Sequence, residues 1–157
     1  MKNFQSRPKL ATLGNIRNTP HQVCPHLFID DRYRFWLTFA DHSRQEIKLT
    51  PLCKSLYVLF LDHEPGISLY DLIDYKEKLL EIYKKISRRV NFQQMQQSIE
   101  QLVDRRNNSI HEKLARIKAA LEALVPPQYV ALFLIGGDRM EEKKINLPRH
   151  YLTFSQV

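Results

Sequence analysis

Apolar residues change their spacing along this chain, and the changes mark out its elements. From Leu27 they come in short β-prone runs at residues 27–29, 34–39 and 45–49, divided by Asp30-Asp31 and by Ala40-Asp41-His42-Ser43. Runs rich in Phe, Ile, Trp and Thr with polar breaks predict strands, here a small antiparallel β-meander. At Thr50-Pro51 the spacing lengthens, and Leu52, Leu56, Leu59 and Phe60 recur at helical intervals. Threonine is a favoured N-cap and proline fits the first helical position, where its missing N–H is not needed. This first helix stops at His63-Glu64-Pro65-Gly66, because proline and glycine both resist continuation.

Ser68 and Asp71 resemble a capping box, and Leu69, Leu72, Ile73, Leu79, Leu80, Tyr83 and Ile86 carry helical spacing to about Ser87. The pattern permits one helix here or a break at Asp74-Tyr75. The glutamine-rich residues 91–101 place Met95, Ile99 and Leu102 on one stripe and predict a further short helix. Ser109-Ile110-His111-Glu112 fits a capping box, with Ile110, Leu114, Ile117, Leu121 and Leu124 as the buried stripe of the helix it opens. Pro126-Pro127 ends that helix. Residues 129–135 and 143–147 then read as two strands joined by a turn at Gly136-Gly137-Asp138, with Pro148 ending the second strand.

Residues 1–25 carry Pro8, Gly14, Pro20 and Pro25 without sustained periodicity, and predict a loose N-terminal arm ahead of one domain over residues 26–157. A length of 157 residues with 43% hydrophobic positions allows one core and does not demand a second. The start of the chain lacks the apolar stretch of a secretory signal, and no run is long enough to span a bilayer. Two cysteines, Cys24 and Cys53, form no CxxC pair and suit a reducing compartment, so a cytoplasmic protein with no membrane partner is expected.

Charge changes the picture. The formal net charge of +7 makes a polyanion a sensible partner, because each phosphate neutralised by Lys or Arg releases condensed counterions. The excess is local: Lys76, Lys78, Lys84, Lys85, Arg88, Arg89, Arg105, Arg106, Lys113, Arg116 and Lys118 face only Glu77, Glu81, Glu100, Asp104 and Glu112 over the same stretch. Lys84, Lys85, Arg88 and Arg89 near a helix end also offset the negative end of its macrodipole. Arg105 and Arg106 precede the helix from Ser109, whose polar face carries Ser109, Glu112, Lys113 and Arg116. Cationic side chains beside free helix N–H groups are what phosphates and base edges require. Arg139, Lys143 and Lys144 lie on or beside the last turn, where a hairpin tip can follow a groove or a backbone.

Catalytic and metal chemistry find less support. His21, Cys24 and His26 group potential ligands without a fourth at recognisable spacing, so no metal or other cofactor is assigned. Cys53 sits beside the apolar stripe of the first helix and reads as a small buried hydrophobe. No P-loop, dinucleotide fingerprint or HExxH occurs, and no enzymatic activity is expected.

The order of a meander, a Leu49-Thr50-Pro51 helix start, a Pro65-Gly66 turn, the Leu72 helix, a long polar-faced helix and a C-terminal hairpin resembles the winged-helix effector domain of OmpR/PhoB-type response regulators. The resemblance covers roughly residues 27–152. It implies an α+β winged helix-turn-helix with three or more helices, residues 110–118 in the recognition helix with Lys113 and Arg116 facing the major groove, and the hairpin as wing. A short arm stands where that family carries its receiver domain, so no phosphoacceptor is assigned. The segment from Lys76 to Asn107 is longer than the family's link and calls for an extra helix or loop. The expected function is duplex DNA binding as a small transcriptional regulator, with contacts from Arg105, Arg106, Ser109, Lys113, Arg116, Arg139, Lys143 and Lys144. A homodimer suits such a reader, because one recognition helix reads few base pairs. The alternative is a protein-interaction module of the same fold, in which Glu141, Glu142 and exposed glutamines contact a protein partner.

Overall fold

A computed structural model describes residues 23–88, 91–138 and 141–155. Three strands come first: β1 (His26–Ile29), β2 (Phe35–Thr38) and β3 (Arg44–Ile47). Each pairs antiparallel with the next, Leu27 opposite Leu37 and Phe35 opposite Ile47. The last strand, β6 (Leu152–Phe154), joins the far side of β1 in parallel, Phe28 opposite Thr153. The sheet is therefore mixed, in the order β3-β2-β1-β6, where the sequence pattern predicted an antiparallel meander alone. The parallel strand escaped that pattern because residues 152–154 are too few to show alternation. A tight turn over Arg149–Tyr151 after Pro148 brings the chain back to β1. Arg149 holds that return by bonding Glu64 at 2.7 Å and the carbonyl of Leu61.

Strand alternation sorts the sheet into two faces. Leu27, Ile29, Phe35, Leu37 and Ile47 point inward and are fully buried. They pack over α1 (Pro51–Asp62), where Phe35 meets Tyr57 edge to face at 5.7 Å between ring centres. Helix α1 begins as its sequence dictates: Pro51 takes the first helical position and the Thr50 hydroxyl accepts the N–H of Cys53 at 3.4 Å. Apart from its ends it is buried nearly all round, from Leu52 to Leu61, which makes it the central helix. The Ser55 hydroxyl donates to the Pro51 carbonyl at 2.7 Å and so enters the core satisfied.

Two of the remaining long helices pack directly on α1, and the third packs on those two. After a bend at Ser68, whose hydroxyl accepts the N–H of Tyr70, a short 3-10 turn over Leu72–Tyr75 leads into α2 (Lys76–Ser87). The break at Asp74-Tyr75 thus exists, and the Ser68-Asp71 pair closes a turn instead of capping a long helix. Helix α3 (Phe92–Val103) is capped by Asn91, whose side chain accepts the N–H of Gln94 at 3.1 Å, and buries Met95, Ile99 and Leu102 as their spacing predicted. Helix α4 (Ser109–Leu124) buries Ile110, Ile117 and Leu121, with Leu114 and Leu124 half-buried beside them. Its start differs from the expected capping box: Asn107 accepts the Ser109 N–H at 2.9 Å, and Ser109 is itself the first helical residue.

The run at residues 129–135 is no strand over most of its length. Val130–Phe133 forms one helical turn, α5, and only β4 (Ile135–Gly136) is extended, paired with β5 (Lys144–Ile145). The run is continuously apolar, so its periodicity cannot tell a buried strand from a helical turn, and burial of Phe133 decides for the turn. Tyr57 donates its hydroxyl to the Phe133 carbonyl at 2.6 Å. Burial raises the Tyr57 pKa, which keeps the phenol a neutral donor. Cys24 and Pro25, placed in the arm by sequence, are buried against the domain, while residues 1–22 lie outside the described residues.

Candidate functional site

Two elements bound the region where the sequence placed its candidates: the turn at residues 104–108 that joins α3 to α4, and the β4–β5 hairpin. Asp104 organises the turn, accepting the N–H of Arg106 at 3.0 Å and its guanidinium at 3.2 Å. These bonds hold the Asp104 carboxyl below its usual range and raise Arg106 in turn. Arg106 is nonetheless 92% exposed and points to solvent. Arg105 lies over the ring of Tyr70, its guanidinium carbon 3.9 Å from the ring centre. Both arginines therefore stand at the α4 N-terminus, as expected from sequence.

The hairpin is pinned beside α4 by backbone. Ile67, between α1 and the 3-10 turn, exchanges both backbone hydrogen bonds with Lys143, at 2.9 and 3.0 Å. Two glycines permit this approach. Gly66 has φ +99°, and a Cβ there would stand 2.8 Å from the Lys143 carbonyl oxygen. At Gly137 a Cβ would meet the Glu142 carbonyl at 2.6 Å. Lys143 caps the hairpin from within, donating Nζ to the Gly137 carbonyl at 3.2 Å, and Lys144 is exposed on the next, opposite-facing position. Arg139 lies outside the described residues.

Between α4 and the hairpin runs a cleft of about 370 Å³, lined by His111, Ala115 and Lys118 of α4, by Leu69 and Ile135, and by Lys143. A second hollow of about 360 Å³ is also lined by His111 and Leu69, with Arg105, Val103 and Tyr70. Lys118 and Lys143 thus border one hollow and Arg105 the other, with Leu69 and His111 lining both.

The residues chosen on α4 from sequence fall elsewhere. Ser109 is buried at 8% exposure and cannot reach a ligand. Lys113 lies three residues after Ile110 and four before Ile117, which sets it at the edge of the buried stripe. Its side chain is only 17% exposed, and its carbonyl faces the Cys53 thiol of α1 at 3.9 Å. Arg116 is exposed, but Arg116 and Lys118 flank Ile117 at about 100° on opposite sides of the helix axis. Lys118 faces the hairpin, so Arg116 faces away from it. The missed residues are His111 and Lys118, whose signal was their seven-residue spacing on one helical face.

The other chemical candidates are engaged in the fold. His26 is bonded through Nε2 to the Thr153 hydroxyl at 2.6 Å, and burial lowers its pKa. Cys24 and Cys53 are buried free thiols, and burial raises Cys24. His21 lies outside the described residues. Among the described residues no group of His, Cys, Asp or Glu has metal-binding geometry, and no helix is long and apolar enough to cross a membrane. No family model, curated protein or solved structure matches the chain.

Proposed function

We propose that this chain binds duplex DNA as a winged helix, with α3 and α4 as the helix-turn-helix, α4 in the major groove and the β4–β5 hairpin as wing. The observation that carries this reading is the cleft in which His111 and Lys118 of α4 face Lys143 of the hairpin, beside a second hollow bordered by Arg105. A helix and a short hairpin diverging from one cleft fit a groove and the adjoining backbone. The net charge of +7 supplies the long-range attraction such an encounter uses. Transcriptional regulation is the use that follows most directly, with no catalysis.

Duplex binding tests it. Fluorescence anisotropy of a labelled random duplex with the full chain should give affinity that falls linearly in log K against log salt, with a slope of about −0.9 per phosphate contact. No binding at low salt would end this reading.

One observation favours a protein-interaction module as the second reading. The outermost face of α4 carries Ala119 and Ala123 with Glu112, Arg116 and Glu122, all exposed, so small apolar positions lie there among charges of both signs. Such a face suits a packed helix of a partner, as does the apolar exposure of Tyr70 and Ile73 at 47% and 57%. Binding of that kind would change little with salt.

A further inference from the structure

The outward face of the four-stranded sheet has no part in the proposed duplex site. Its alternation is reversed from the core face: Phe28 and Trp36, directly opposite each other on β1 and β2, point outward and are half-buried. Arg44 of β3 shares that face, because its register partner is Thr38. Its guanidinium carbon lies 5.5 Å from the centre of the Phe28 ring and 4.9 Å from that of Trp36. Arg34 approaches Trp36 at 5.7 Å.

The aromatic group is fixed in place. Trp36 donates Nε1–H to Asp30 at 3.1 Å, and Asp30 also accepts the Arg34 guanidinium at 2.8 Å and the N–H groups of Arg32 and Arg34 at 2.9 and 2.8 Å. Indole orientation is thus set by a carboxylate that is itself saturated with donors.

Charge on this face is unbalanced in one direction. Asp30 is neutralised by Arg34 and Glu46 by Lys48 at 3.3 Å. Among the described residues Arg44 has no carboxylate within ion-pair distance. Flat rings, a planar guanidinium within 5.5 Å of both ring centres and one uncompensated positive charge fit a ligand that joins planar rings to anionic groups. An acidic peptide would satisfy Arg44 but make no use of the rings.

We propose that the sheet face centred on Phe28, Trp36 and Arg44 is a stacking platform for single-stranded nucleic acid. Bases stack on aromatic faces and on guanidinium planes alike, and phosphate pairs with Arg44. This surface acts independently of α4 and the hairpin.

Trp36 is the chain's only tryptophan and so reports directly on the site. Titrating the full chain with oligo(dT) and oligo(U) should quench its fluorescence saturably, and the relative affinities of the two assign the preferred sugar. Phe28→Leu keeps apolar bulk without a ring face and should weaken binding at least about fivefold. Arg44→Gln should weaken it and make the salt slope shallower by about 0.7. Absence of quenching by both oligonucleotides at low salt would overturn the proposal. So would equal quenching by poly-glutamate, which would make the surface an acidic-peptide site, or unchanged affinity in both variants. Random duplex that binds without quenching Trp36 is the result expected from two separate sites.

Discussion

Ile67 and Lys143 exchange both of their backbone hydrogen bonds, which ties the hairpin to the chain leaving α1. The hairpin is thereby a fixed part of the domain although its strands β4 and β5 are only two residues each. Gly66 makes that tie possible through its positive φ and its contact with Lys143. Gly66→Ala should therefore destabilise the chain by about 2 kcal/mol, read as a lower midpoint in urea unfolding. It should also weaken duplex binding, because the hairpin would shift from α4.

Asp30 gives a pH-dependent prediction. Burial alone would raise its pKa, but the backbone N–H of Arg34, the Trp36 indole, the backbone N–H of Arg32 and the Arg34 side chain outweigh it and hold the carboxyl at about 2. A folded value below the ordinary 3.8 means that its contribution to stability is complete above that pH and is lost as pH falls through about 2. Asp30→Asn should cost about 2 kcal/mol at neutral pH, and the gap from wild type should close across that acid window in denaturant titrations. A gap constant with pH would contradict the assignment.

Tyr57 tests the join between α1 and the helical turn before β4. Removing its hydroxyl leaves the buried Phe133 carbonyl without this donor. Tyr57→Phe should lower stability by about 1–2 kcal/mol in calorimetry or denaturant melts, with the fold retained.

How far the sequence could be read varied with the strength of local chemistry. Helix α1 was legible to its ends because Thr50-Pro51 and Pro65-Gly66 act locally, whatever the rest of the chain does. Helix α3 was legible because its stripe of Met95, Ile99 and Leu102 is clean. Residues 129–135 were not, since an unbroken apolar run carries no period. The start of α4 at Ser109 was legible but its cap was not, because Asn107 and Ser109 both have capping side chains and only packing decides that Ser109 goes inward. For the candidate site the charged residues of the turn were found, but their orientation on α4 was not. Polarity alone put Lys113 on the outer face, whereas its alkyl stem lies along the core edge with the ammonium near Glu112 at 4.0 Å. That His111 and Lys118 face the hairpin depends on where residues 134–145 return, which is long-range information.

A comparison of the two flanks of α4 tests duplex recognition by the cleft. Duplex affinity and its salt slope would be measured by anisotropy for wild type, for Lys118→Ala with Lys143→Ala, and for Lys113→Ala with Arg116→Ala, each variant first checked for an unchanged circular dichroism spectrum. The cleft-side pair should lose affinity and make the slope shallower by about 1 for each phosphate contact removed, while the other pair stays close to wild type. Loss confined to Lys113→Ala with Arg116→Ala, or no duplex binding by any of the three proteins, would contradict it.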